Sequence, residues 1–129
     1  MSGSEYAYFY VTGPGTHELV TDILDLAPTA ARNVGEVDPS TGRLCRFMRW
    51  ELHSGLEHSA PLIEHIDVLF LYLGTRANEL RSLWLEYDLT LQAVGYYSGS
   101  HGLHLSREHV RKAAALGVAL DLDLYTTDA

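Results

Sequence analysis

Residues 118–125 read Val-Ala-Leu-Asp-Leu-Asp-Leu-Tyr, and the alternation in this stretch decides the fold class. As a strand it puts Val118, Leu120, Leu122 and Leu124 on one face and Ala119, Asp121, Asp123 and Tyr125 on the other. A strand covered by helices on both faces reads as a continuous apolar run. Carboxylates at every second position instead predict a sheet with one face left open to water. Just upstream, Gly117 is a natural C′ residue for a helix capped by Ser106, with Val110, Ala113, Ala114 and Leu116 facing inward.

The same alternation recurs three times nearer the N-terminus. In Glu5–Val11, Ala7, Phe9 and Val11 share one face, while Tyr6, Tyr8 and Tyr10 share the other. In Arg46–His53, Met48, Trp50 and Leu52 oppose Phe47, Arg49, Glu51 and His53. In Leu89–Tyr97, Leu89, Leu91 and Ala93 oppose Thr90, Gln92 and Val94. Helical periodicity fills the gaps. A short helix runs from His17 to about Leu26 behind an N-capping Thr16, and Pro28 stops it. A second helical region begins with Pro61 in its first turn and carries an apolar stripe of Leu62, Ile63, Ile66, Leu69, Phe70 and Leu73. Gly74-Thr75 ends or kinks it before Ala77, Leu80, Leu83 and Trp84 continue the pattern.

Residues 29–43 are the least patterned part of the chain and read as a long loop with turns at Gly35, Asp38-Pro39 and Thr41-Gly42. The element order is therefore β-α-β-αα-β-α-β. The fold class expected from it is α+β: a four-stranded, mainly antiparallel sheet with helices on one face, in a ferredoxin-like order. With two helices between the middle strands, those strands can pair antiparallel; one continuous helix would make the crossover parallel.

At 129 residues the chain fits one domain, 1–129, with a core large enough to need no disulfide or metal staple. The lone Cys45 excludes an internal disulfide and any zinc site built on paired thiolates. Met1-Ser2-Gly3-Ser4-Glu5 lacks a basic region and an apolar signal core, and no run is long enough to span a bilayer, so a cytoplasmic location and no membrane partner are expected. The formal net charge of −8 opposes nucleic-acid binding, which relies on cationic neutralisation of phosphate, and suits a basic partner.

Four stretches carry a family resemblance: YAYFYV at 6–11, LVTDILDLAPT at 19–29 followed by Gly35-Glu36, WELHSGLE at 50–57, and GLHLSREHVRKAAALGVALDLDLY at 102–125. Along nearly its whole length the chain resembles a bacterial family known as domain of unknown function 4279. That resemblance implies an architecture and no reaction, cofactor or catalytic residue.

Motifs for chemistry are sparse. None of the seven histidines forms a His-Glu-x-x-His pair, so no metal is called for, nor any cofactor. Gly13-Pro14-Gly15 lacks the further glycine and the lysine of a phosphate loop and reads as a strand-to-helix turn. Asp121 and Asp123 stand roughly 7 Å apart along one strand face, where Glu51 and His53 can join them in an acid, imidazole and carboxylate cluster. The three tyrosines are the most unusual feature, because they give large amphipathic area at little conformational cost. The candidate binding residues are thus Tyr6, Tyr8, Tyr10, Arg49, Glu51, His53, Asp121, Asp123 and Tyr125.

Three functions fit this pattern. The leading one is a small acidic, non-enzymatic protein that engages a protein partner through the open face, with an immunity-type role against a basic toxin as its concrete version. The second is a small-molecule binder or small enzyme with a pocket of Tyr8, Arg49, Glu51, His53, Asp121 and Asp123. The third is a domain that associates with itself as a homodimer.

Overall fold

A computed structural model of the protein describes residues 4–127; the opening Met1–Gly3, part of the stretch read for a signal core, lie outside the described residues. Five strands and four helices alternate as β1 (Glu5–Gly13), α1 (His17–Leu24), β2 (Ala30–Arg32), β3 (Met48–His53), α2 (Leu62–Gly74), α3 (Ala77–Leu83), β4 (Asp88–Tyr97), α4 (Arg107–Leu116) and β5 (Ala119–Thr126). The fold class is α+β.

The sheet corrects the expected topology in three ways. It has five strands, ordered β2-β3-β1-β4-β5, because Ala30–Arg32 inside the supposed loop pairs with β3. Thr29 reinforces that pairing: its backbone N–H donates to the Glu51 carbonyl at 2.7 Å, and its hydroxyl accepts from the His53 N–H at 2.9 Å. The sheet is mixed, since β4 and β5 run parallel while the other pairs are antiparallel. A parallel pair needs a crossover, and α4 supplies it. Finally, β3 and β4 do not pair; the long central β1 lies between them, hydrogen-bonded to both, so the order is not ferredoxin-like.

The helical region between β3 and β4 is two helices. The chain breaks at Thr75-Arg76, and Arg76 turns the break into a tie. Its Nε donates to the Leu24 carbonyl at 2.7 Å and its Nη2 to the Asp25 carbonyl at 3.1 Å, satisfying orphan carbonyls at the end of α1. The start of α1 also differs from expectation. Thr16 occupies the N-cap position but makes no side-chain cap; Asn33 reaches in from the loop and accepts from the His17 N–H at 2.8 Å. Pro61 precedes α2 as its N-cap residue instead of starting it, and the Glu5 carboxylate accepts from the Leu62 N–H at 3.2 Å. By contrast Ser106 caps α4 as expected, in a reciprocal capping box with His109.

The core lies where the alternation put it. Ala7, Phe9 and Val11 of β1, Met48, Trp50 and Leu52 of β3, and Leu89, Leu91 and Ala93 of β4 are buried against Leu62, Ile66, Leu69, Phe70 and Leu73 of α2. The Trp50 indole N–H donates to the Thr21 hydroxyl at 3.0 Å, fixing α1 on β3. Two expectations fail at the β5 edge. Leu122 and Leu124 are 37% and 36% exposed, and Val110 of α4 is 54% exposed. Val118, just before β5, is buried in the core, while the far end of this edge strand stays open.

Candidate functional site

The strand register builds the opposite face of the sheet row by row. Tyr10 stands between Glu51 and Thr90; Tyr8 stands between His53 and Gln92; Tyr6 stands beside Val94. Across the β4–β5 pair, Gln92 faces Asp121, Val94 faces Asp123 and Tyr96 faces Tyr125. All nine expected residues are therefore on one face. They do not form one cluster.

One group gathers around β1 and β3. The Arg49 Nε donates to Glu51 Oε2 at 2.5 Å, and His53 Nε2 lies 2.8 Å from Glu51 Oε1. Burial pushes the Glu51 carboxyl up, but the hydrogen bonds from Arg49 and His53 outweigh it and hold the group below the usual glutamate range. The Arg49 guanidinium sits 4.1 Å from the Tyr10 ring centroid and 5.8 Å from that of Tyr8, a cation–π contact that flattens the side chain onto the tyrosines. Tyr8 is in turn 5.3 Å from the His53 ring, and Tyr6 stacks on His58 at 5.2 Å. Burial raises the Tyr8 hydroxyl above the ordinary tyrosine value, and Arg49 opposes that rise. Tyr6, Tyr8, Tyr10, Arg49 and Glu51 are half-buried, which limits their rotamers before any partner arrives, while His53 and His58 are exposed.

The second group lies at the other edge. Gln92 donates to Asp123 Oδ2 at 2.9 Å, and Tyr96 stacks on Tyr125 at 5.0 Å. Gln92 and Val94 are buried although they belong to the polar face, flanked on either side by Tyr8 and Asp121 and by Tyr6 and Asp123. From β3 to β5 there are three strand spacings, roughly 14 Å, with Tyr8 and Gln92 standing between His53 and Asp121. The acid, imidazole and carboxylate cluster expected from Glu51, His53, Asp121 and Asp123 is thus split in two, because β1 and β4 stand between the strands that carry its halves.

A cleft of about 360 Å³ opens beside the tyrosines, between Tyr6, Tyr8, His53, Ser54 and His58. Ser54 in its lining belongs to a pair that sequence reading missed: its hydroxyl lies 2.6 Å from Nδ1 of the buried His65. His65 is fully buried, and burial holds its imidazole below the ordinary histidine value. The sequence did contain a signal for it, since His65 falls on the apolar stripe of α2 between Leu62 and Leu69. Also missed were His58 and Arg32, the latter directly opposite Arg49 on β2. Arg32 was missed because its strand, β2, was unrecognised. Among the described residues no group of three or more His, Cys, Asp or Glu side chains could hold a metal ion, and no helix is long and apolar enough to cross a membrane.

No curated protein and no solved structure gives a significant match to the chain. A family model does, over residues 4–127, and its description is domain of unknown function (DUF4279). With nearly the whole chain matched, including β1 with its tyrosines and the closing α4–β5 unit, the protein belongs to the DUF4279 family.

Proposed function

We propose that this protein is a non-enzymatic binding protein that engages a protein partner with the polar, aromatic face of its sheet. The observation that carries the reading is the arrangement on the central strand: Tyr6, Tyr8 and Tyr10 in a row, with Arg49 laid against two of them and held by Glu51. Rigid amphipathic side chains on a regular element lose little entropy on docking, and Tyr and Arg are the residue types that dominate binding energy at interfaces. The formal charge of −8, together with Asp121 and Asp123 at the β5 side, favours a basic partner. An immunity-type role, neutralising a basic toxin, is the concrete form of this proposal.

The test is affinity capture from the native cell at low and at physiological salt, with wild type and Tyr8→Ala side by side. A basic protein retained by wild type, weakened by salt and lost with Tyr8→Ala, supports the proposal. Capture of nothing at low salt sinks it. A second copy of the chain covering the same face would appear as a concentration-dependent dimer in sedimentation, abolished by Tyr8→Ala, and would replace the heterologous partner. The six-residue pocket of a small enzyme is not proposed, since two strands, β1 and β4, stand between its acidic half and its Glu-His half.

A further inference from the structure

Beyond the partner-binding face, the geometry points to a second site: a cleft at the β2–β3 corner that binds a small organic anion, a phosphate or carboxylate carried on an aromatic or apolar body. The cleft encloses about 500 Å³ and is bordered by Arg32, Arg46, Phe47 and Arg49, with Thr12 and Gly13 at the end of β1. That size lies within the range of small-molecule sites. On a chain with nine Lys and Arg and a formal charge of −8, three arginines line one hollow.

Two carboxylates also line the cleft, Asp38 and Asp88, and they do not satisfy the cations. Arg32 reaches Asp38 only at 3.7 Å, beyond hydrogen-bond length. Arg49 uses its Nε on Glu51, and its guanidinium, laid against Tyr10, has no second carboxylate within ion-pair distance among the described residues. Arg46 has no carboxylate within ion-pair distance among the described residues. Arg32 and Arg49 are moreover direct cross-strand partners, an opposition of like charges that a sheet disfavours. An anion between them would relieve that repulsion and take up the free N–H forks, which match the oxygens of a phosphate or carboxylate. Beside them Phe47 is 75% exposed, an aromatic wall that a fully hydrated inorganic ion would leave unused.

The full chain, labelled with ¹⁵N and titrated with phenyl phosphate, benzoate, inorganic phosphate and benzyl alcohol while backbone amides are followed by NMR, tests the proposal. Saturable shifts confined to residues 45–49, Arg32 and Gly13 are expected with phenyl phosphate or benzoate, and the stronger of the two identifies the head group. Benzyl alcohol should produce none. Arg46→Gln should weaken binding about tenfold or more, since the side chain is exposed and no internal contact is lost. Phe47→Ser should reduce phenyl phosphate to the level of inorganic phosphate. Arg111→Gln, which removes a cation from α4, should change nothing. Shifts that do not saturate, that are unaltered in Arg46→Gln, or that spread equally over α4 overturn the site. So does binding to phosphatidylglycerol vesicles without binding to the soluble anions, which would make this corner a membrane-contacting surface.

Discussion

His65 is a residue whose chemistry the fold alters through burial. The Ser54 hydroxyl, which accepts from the Leu56 N–H at 3.3 Å, pairs with His65 Nδ1 at 2.6 Å, the direction of that bond being set by the imidazole tautomer. Nε2 is buried without a hydrogen-bond partner among the described residues, which leaves little to compensate a positive charge. Burial lowers the folded pKa below the unfolded value of about 6.5, while the Ala60 and Glu57 carbonyls pull less strongly the other way. Between the two values the unfolded chain binds more protons, so stability rises with pH. It is fully present above about pH 6.5 and is lost on acidification towards the folded pKa. In urea unfolding, wild type should therefore weaken from pH 7.5 to pH 5.5 more steeply than His65→Gln. The difference can reach at most about 1.4 kcal/mol per pH unit, the limit for one proton. Parallel pH profiles for the two proteins would show that His65 charges freely in the folded state.

At the scale of elements, the helix ends show what the sequence could and could not convey. Ser106 and Gly117 bracket α4 with local signals, and both are found in those roles, Gly117 with φ 69°. Its glycine is required twice over, because a Cβ there would also run into the Trp84 indole, whose N–H donates to the Leu116 carbonyl at 2.9 Å. Gly117→Ala should accordingly cost more than the roughly 1 kcal/mol of a left-handed position alone, and should shift the tryptophan emission as Trp84 is displaced. A cost at or below that figure would mean the indole moves aside freely. The ends of α1 are satisfied from far along the chain: Asn33 caps one and Arg76 the other, residues 16 and 52 positions from the groups they satisfy. Arg76→Ala should lower stability by about 1.5–3 kcal/mol, the range for hydrogen bonds from a charged donor, with an unchanged urea m value. Arg76→Lys should recover only part of it, since one ammonium cannot span both carbonyls. An Arg76→Ala midpoint equal to wild type would mean that water replaces the guanidinium at no cost.

For the whole molecule, the faces of the strands were legible in their alternation, and their order was not. Period-2 patterning reports which side chains share a face, as for Tyr6, Tyr8 and Tyr10, but all four recognised strands carry it, and nothing local says that β1 separates β3 from β4. β2 was missed because three residues, Ala30–Arg32, are too few to show a period at all. Their place is set by Thr29 and by pairing with β3. The order has a measurable consequence. Phe9 and Val11 on β1 have a hydrogen-bonded strand on each side and no measurable solvent exposure, and Leu91 on β4 is equally enclosed. Their amides should exchange with solvent only through global unfolding, whereas β2 and the Leu122–Thr126 end of β5, each at a sheet edge, should open locally. In native-state hydrogen exchange the β1 amides should follow the urea dependence of the global transition, and those of β5 beyond Leu122 should exchange at lower free energy with a shallower slope. Equal protection along β1 and β5 would mean that the exposed leucine edge is covered in solution. Since Leu122 and Leu124 are more than a third exposed in the isolated chain, the cover would then have to come from a second molecule.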